Sequence, residues 1–381
     1  MKRNGLVSGH RATLSVTSLS AVSFCVAFGV ALSSADAADR IILRNLKVIT
    51  GKTVVSFNED RIRLSDSSSL EWHEIERAKI AESQQAAFDK LLAALGNDLY
   101  RIRQRLSVGD YAGLLPHAEA LAERYATRTS DTAYMVEQAL MWGRLATGNR
   151  EQALVAYLRC YSILRTRGVI KIDLPGDRLL EFDPKTALTP ELVPIWFDQE
   201  SAKAELPKVY DILRAMKARP TGAYVYLGTL ALAAGNEKTV SAVMGALRSD
   251  VPTISELKRI IDAQREVLAG ESGARIKALG SDWTNFGPST GPLALYWVGR
   301  DMLKSDDDET QRQGLLYLLR IPALYGTSQP DLAAASLYES MRVLEEHKDV
   351  SGSVTVRREL LAEYGNSYHA KLVNNAESSS P

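Results

Sequence analysis

Cysteine is nearly absent from this chain, with two in 381 residues, Cys25 and Cys160. Cys25 lies in an apolar N-terminal stretch. If that stretch is removed, one thiol remains and no internal disulfide can close, so stability must come from packing alone. Cys160, inside the helical run ALVAYLRCYSIL, reads as a small buried apolar side chain rather than a reactive thiol. Net charge is missing as well, since 46 Lys and Arg balance 46 Asp and Glu. No basic surplus points to nucleic acid, and no acidic tail points to a solvating arm. Histidine is scarce too. Beyond the first 37 residues it stands at 73, 117, 347 and 369, with no ligand-like neighbour at helical or turn spacing.

The first 37 residues stand apart. Lys2, Arg3 and Arg11 precede ATLSVTSLSAVSFCVAFGVAL, an uncharged run, and Ala35-Asp36-Ala37 closes it. A basic start, an apolar middle and a small-residue exit form the layout of a secretory signal peptide, with cleavage expected after Ala37. The alternative is an uncleaved anchor helix, for which the run is long enough. Its serines and threonines weaken that option, and bulky Phe24 before Cys25 disfavours a lipoprotein. Without the leader the chain carries 43 basic and 45 acidic side chains.

From Arg40 to Ile75 the texture is that of strands, with Ile, Val, Thr and Phe broken by turn formers such as Asn58-Glu59-Asp60. Strands are expected near 40–43, 46–56, 61–65 and 70–73. Gly51-Lys52-Thr53 has the ending of a phosphate loop, yet the motif needs its first glycine where Leu46 stands, and a helix rather than TVVSF should follow. Gly51 is therefore expected to bend a strand, with Lys52 facing solvent and Val48, Val54 or Val55, and Phe57 on the apolar side. So short a β segment must dock on something, and Trp72 and Ile75 are the expected seam. His73-Glu74 lacks the second histidine of a zinc-protease motif, because position 77 is Arg77.

Beyond Ala81 the sequence reads as helix pairs joined by tight turns: LSVGDYAGLL, LATGNREQALVAY and LAAGNEKTVSAV. In each, glycine ends one helix and Asp or Asn can cap the next. Asn149 with Gln152, and Thr253 with Glu256, have capping-box spacing. Tyr224, Leu227, Gly228, Gly235 and Pro252 follow in the order of a known pattern, with Val240 where alanine is usual. Leu140, Gly148, Ala153 and Tyr157 follow it in part, with Met141 in place of the packing glycine. A third copy is suggested near the C-terminus, ending at Tyr364-Gly365-Asn366. This arrangement resembles the tetratricopeptide repeat, over about half of the chain beyond the leader, at irregular intervals. The resemblance implies stacked antiparallel helices with a concave face, and implies no chemistry.

Two stretches interrupt the helices. Residues 168–196, GVIKIDLPGDRLLEFDPKTALTPELVPIW, combine an apolar alternation with a Pro-Gly-Asp turn, and read as a hairpin or extended excursion. Such an insertion either carries binding contacts or covers an exposed helix pair. The second stretch contains Gly287-Pro288-Ser289-Thr290-Gly291, a formal nucleophile-elbow pattern. An elbow needs a buried strand before its serine, and SDWTNF is not one, so Ser289 reads as a loop serine. The acidic run SDDDET (305–310) lacks the glycine and closing glutamate of a calcium loop and fits the start of a helix. YRIRQR reads as a solvated helix face.

The expected architecture is mainly α, an antiparallel helix-pair array of the α-solenoid kind with a small N-terminal β meander. It divides into a signal peptide (1–37), a β module (38–80), helical repeats (81–167, 201–279 and 293–375), an extended or hairpin insertion (168–200), a loop (280–292) and a disordered tail (376–381). The expected function is that of an exported scaffold, periplasmic or extracellular, mediating protein–protein interactions in the bacterial envelope. No nucleic acid, cofactor, metal or catalytic residue is expected, and contact with the membrane only through an uncleaved leader. One alternative is an extracytoplasmic hydrolase or lyase with its site in the 168–196 or 280–293 loops. Another is a glycan- or peptide-binding module using aromatics of the concave face, for which Trp196, Tyr224, Tyr226, Tyr296 and Trp297 are the candidates. Elsewhere in the repeats the aromatics are expected to wedge helices together.

Overall fold

The computed structural model describes residues 39–247 and 250–378. The expected leader and its cleavage position lie outside the described residues, as do residues 379–381.

Six short strands come first among the described residues: β1 (Arg40–Leu43), β2 (Val48–Ile49), β3 (Val54–Phe57), β4 (Ile62–Leu64), β5 (Ser69–Leu70) and β6 (Ile75–Lys79). They form two antiparallel three-stranded sheets, ordered β2-β1-β6 and β3-β4-β5. The single strand expected at 46–56 is thus two strands in different sheets. Gly51, at φ +75°, turns the chain between them, a backbone conformation that costs side-chain-bearing residues about 1–2 kcal/mol. No atom would meet a Cβ there. Gly51→Ala is therefore expected to lower unfolding free energy by about 1 kcal/mol, through the backbone alone, in a urea titration.

Lys52 is partly exposed and pairs with Asp66. Val54 is buried and Phe57 half-buried, whereas Val48 and Val55 are exposed. A register irregularity between Val54 and Ser56 breaks the simple alternation. β6 was not among the expected strands, because its charged residues Glu76, Arg77 and Lys79 suggest a helix. It pairs with β1 across another irregularity, at Ile42/Leu43.

Trp72 and Ile75 are fully buried, as the docking seam requires. The Trp72 ring packs against Phe57 and Phe88, and its indole N–H donates to the Asn58 carbonyl at 2.7 Å. The tip of the β3–β4 turn is fixed separately. Tyr125 donates its hydroxyl to the Glu59 carbonyl, and Arg124 and Arg128 pair with Glu59 and Asp60. A sheet region too small to be stable alone is held by helices on two sides.

Apart from residues 168–198, the rest of the described chain is mostly helical: α1 (Glu82–Leu91), a π turn (Leu92–Gly96), α2 (Asn97–Ser107), α3 (Tyr111–Tyr125), α4 (Asp131–Ala146), α5 (Arg150–Arg167), α6 (Gln199–Ala215), α7 (Thr221–Ala233) and α8 (Glu237–Ala246). Then come α9 (Pro252–Leu268), α10 (Ala274–Asp282), α11 (Gly291–Met302), α12 (Asp308–Tyr325), α13 (Pro330–Glu346), α14 (Val350–Glu363) and α15 (Tyr368–Ser378). The expected 280–292 loop is shorter than its bounds, since α10 runs to Asp282 and a 3-10 turn spans Trp283–Asn285. Residues 376–378 of the expected tail belong to α15.

Successive helices pack on one another, and α7, α9, α11, α13 and α15 also touch in series, making an inner layer. The turn chemistry is as the sequence suggests. Gly109, Gly148 and Gly235 take φ between +66° and +73°, and the Asp110 and Asn236 side chains cap the following helices. Asp307, in the acidic run, accepts from the Thr310 N–H at 2.9 Å and caps α12. Neither expected capping box forms. Asn149 makes no side-chain cap bond, and Glu256 accepts instead from the Gly287 N–H and the Thr290 hydroxyl, tying α9 to the start of α11. Among the described residues, no helix is long and apolar enough to cross a membrane.

Candidate functional site

The first turns of several inner helices gather at one rim. Arg150, first in α5, reaches Asp331 in α13 at 2.8 Å. Gln329, just before α13, donates its amide to the Ser289 carbonyl, just before α11, at 3.2 Å. At the start of α15, Lys371 donates to the Thr147 carbonyl in the α4–α5 turn. Gly148 in that turn lies so close to the Asn366 carbonyl that a Cβ would sit 2.3 Å from it. The C-terminal helices therefore close back onto α4 and α5.

What fills the space inside that rim is the chain itself. Residues 183–198 run through it as irregular chain, with a turn over 184–186 and a 3-10 turn, Pro190–Leu192, and bury Ala187, Leu192, Ile195 and Trp196. Helix side chains hold this segment by its main chain. The Arg150 guanidinium donates to the carbonyls of Glu191, Val193 and Ile195. Glu151 accepts from the N–H groups of Phe197 and Asp198 at 2.9 and 3.1 Å. Tyr157 donates to the Ala187 carbonyl and Tyr226 accepts from the Thr189 N–H. Burial raises the carboxyl pKa of Glu151, while the N–H bonds it accepts pull the other way. No strands pair within the 168–200 insertion, whose last two residues already belong to α6, and its second half is part of the core.

One space at the rim remains open. A cleft of about 580 Å³ lies between the α4–α5, α12–α13 and α14–α15 turns and the 190–195 stretch. Its charged walls are largely matched, Arg150 with Asp331 and Arg178 with Glu191. Gln329 lines it with only 7% of its surface exposed, and its Oε1 has no hydrogen-bond partner among the described residues. An acceptor left bare in so buried a side chain is costly unless something donates to it. Asn366 and Thr327 line the same cleft and are exposed. A smaller hollow of about 250 Å³, on the other side of Pro190 and Val193, is lined by Val251, Thr253, Leu257, Ser289 and Thr290.

The aromatics singled out from the sequence do not form an outer platform. Trp196, Tyr226, Tyr296 and Trp297 are buried, and Tyr224 is half-buried. Trp196 donates its indole N–H to Thr229, and its ring meets Tyr226 edge-on. Trp297 packs against Tyr296, whose ring meets Phe197 of the inner segment. Helical spacing marks such residues as facing inward, and the inner segment covers the face they would otherwise show.

The hydrolase alternative asked for an acid, a base and a nucleophile together. Ser289 is exposed at the smaller hollow. His347 bonds Gln311 on α12, and His369 is buried among Phe197, Tyr338 and Tyr368. Neither histidine touches Ser289. Among the described residues no cluster of His, Cys, Asp and Glu is arranged to hold a metal ion. Sequence reasoning did not find Arg150 or Gln329. Arg150 follows a Gly-Asn turn and reads as a helix-start charge, and Gln329 as a loop residue before a proline. No known protein family, curated protein or solved structure matches this chain.

Proposed function

We propose that this protein is an exported, tetratricopeptide-like scaffold of the bacterial envelope that holds an extended segment of a partner protein in the rim cleft. The observation that carries this reading is the open cleft of about 580 Å³ beside the inner segment, where exposed Thr327 and Asn366 offer hydrogen-bonding groups to the main chain of a bound segment. A precedent lies within the molecule, where Arg150, Glu151, Tyr157 and Tyr226 already read the inner segment by its main chain. The repeat-like reading is supported by Gly228, where a Cβ would come within 3.0 Å of Val243 on the next helix. A packing glycine at that place is what the resemblance implies. The basic, apolar and small-residue order of residues 1–37 supports export.

A photo-crosslinking residue at Asn366 or Thr327 is expected to capture envelope proteins in intact cells. The same residue at Gln313, exposed on α12, is expected to capture none. Equal adducts at all three positions, or none at the cleft, would refute the reading.

A further inference from the structure

The insertion reads as a hairpin or an extended excursion, and the stretches on either side of Pro175-Gly176-Asp177, 169–174 and 178–182, do not pair. The second arm is drawn into the array. The Arg178 guanidinium lies 3.8 Å from the Trp142 ring centre, Leu180 is buried, and Phe182 packs edge-on against Tyr161. Gly176 is pinned against the Leu106 carbonyl. The first arm is left behind. From Ile170 to Phe182 no main-chain N–H or C=O has a hydrogen-bond partner among the described residues.

Along that first arm exposed and part-buried side chains alternate from Lys171 to Leu174. Ile172 and Leu174 pack against the core, while Lys171 and Asp173 point the other way and pair at 3.1 Å, as neighbours two apart on one face do. Beside it runs a hollow of about 420 Å³, whose far wall includes Arg103, Thr132 and Met135. Ile170 is 82% exposed, and Leu179 and Val108 are exposed nearby, Val108 sharing a hollow with Arg178. An open strand edge flanked by apolar side chains is a template for another strand.

We infer that the other strand is the same segment of a second copy, paired antiparallel about a two-fold axis at Ile172. In that register Lys171 faces Asp173 of the second copy, and Asp173 faces its Lys171. Ile170 faces Leu174, and Pro175, which has no N–H, falls at the end opposite Val169. Slips of one residue put apolar side chains on the charged face. Slips of two set Lys171 against Lys171 or Asp173 against Asp173. The charge order therefore selects one register, and the contact is self-complementary, as an isologous dimer requires.

Sedimentation equilibrium of the full chain tests this. The wild type is expected to show a monomer–dimer equilibrium. Lys171→Asp or Asp173→Lys alone should weaken it at least about tenfold, since each sets like charges opposite one another in a homodimer. Combining both substitutions in one chain should restore it, and so should mixing the two single variants, which are complementary to each other. Both side chains are largely exposed, so the variants are expected to fold. Monomer at every concentration, or a dimer indifferent to both reversals, would overturn the inference.

Discussion

Replacing Arg150 with methionine is expected to cost about 3–5 kcal/mol of unfolding free energy, the range for breaking a buried charged network by removing one partner. The guanidinium is 7% exposed and shares its donors among three carbonyls of the inner segment and the Asp331 carboxylate. It also lies 5.6 Å from the Trp196 ring centre. Methionine keeps much of the aliphatic bulk but leaves the carbonyls of Glu191, Val193 and Ile195 without that donor. Val193 keeps the Ile195 N–H, but the penalty for the bare Glu191 and Ile195 acceptors, about 1–3 kcal/mol each where no water reaches them, outweighs the loss of any single bond. Lysine should recover less than half of the loss, because one ammonium cannot fork to carbonyls on both sides of the segment. Urea midpoints for the wild type, Arg150→Met and Arg150→Lys check this directly. A loss under about 1 kcal/mol would mean that the apolar anchors Leu192, Ile195 and Trp196 hold the segment alone.

The result bears on what the 168–200 insertion is for. As a removable loop it would tolerate the loss of Arg150, but as the filling of the inner layer it would not. Its burial explains why helices α5 and α7 are buried on most of their surface, with Tyr157 and Tyr226 fully covered. A helix buried all round lies in the interior of a structure.

How far this was legible in the sequence depends on the range of the forces involved. Gly109, Gly148 and Gly235 announce their turns because positive φ is a local demand, and the sequence shows local demands directly. The Trp72 seam was legible because a small sheet must bury something large. β6 was not, because a register irregularity against β1 breaks its period and Glu76, Arg77 and Lys79 leave it no apolar alternation. Of the two forms expected for the insertion, a hairpin or an extended excursion, no ladder forms between its arms, and Arg178 stacks on Trp142 of α4 instead. Gln329 became visible only when α13 met α11, since nothing in its neighbours along the chain says that its amide will be buried.

Glu137 is expected to make the fold lose stability as pH rises towards neutrality. It sits in the middle of α4, 1% exposed, with one oxygen 3.1 Å from Arg159 and the other without a partner among the described residues. Burial pushes its pKa from the ordinary 4.5 up to about 7, against the pull of Arg159 and Arg144. The folded state therefore holds this proton more tightly than the unfolded one. The resulting stabilisation is complete below about pH 4.5, shrinks as pH rises and is gone above about pH 7. That separation corresponds to about 3 kcal/mol. His369 acts in the opposite sense. Burial, with the nearby Arg300 charge, lowers its pKa to about 3, so its contribution is full above about pH 6.5 and fades as pH falls. The two overlap and partly cancel in the wild type, so a single stability curve would not reveal either. The difference between wild type and Glu137→Gln does, because glutamine keeps the shape and removes one titration. Between pH 8 and pH 5 that difference should move by about 2–3 kcal/mol, with the glutamine variant relatively more stable at pH 8. Urea unfolding of both proteins at the two pH values measures it. The same offset at both would show that the carboxyl titrates normally and that water reaches α4.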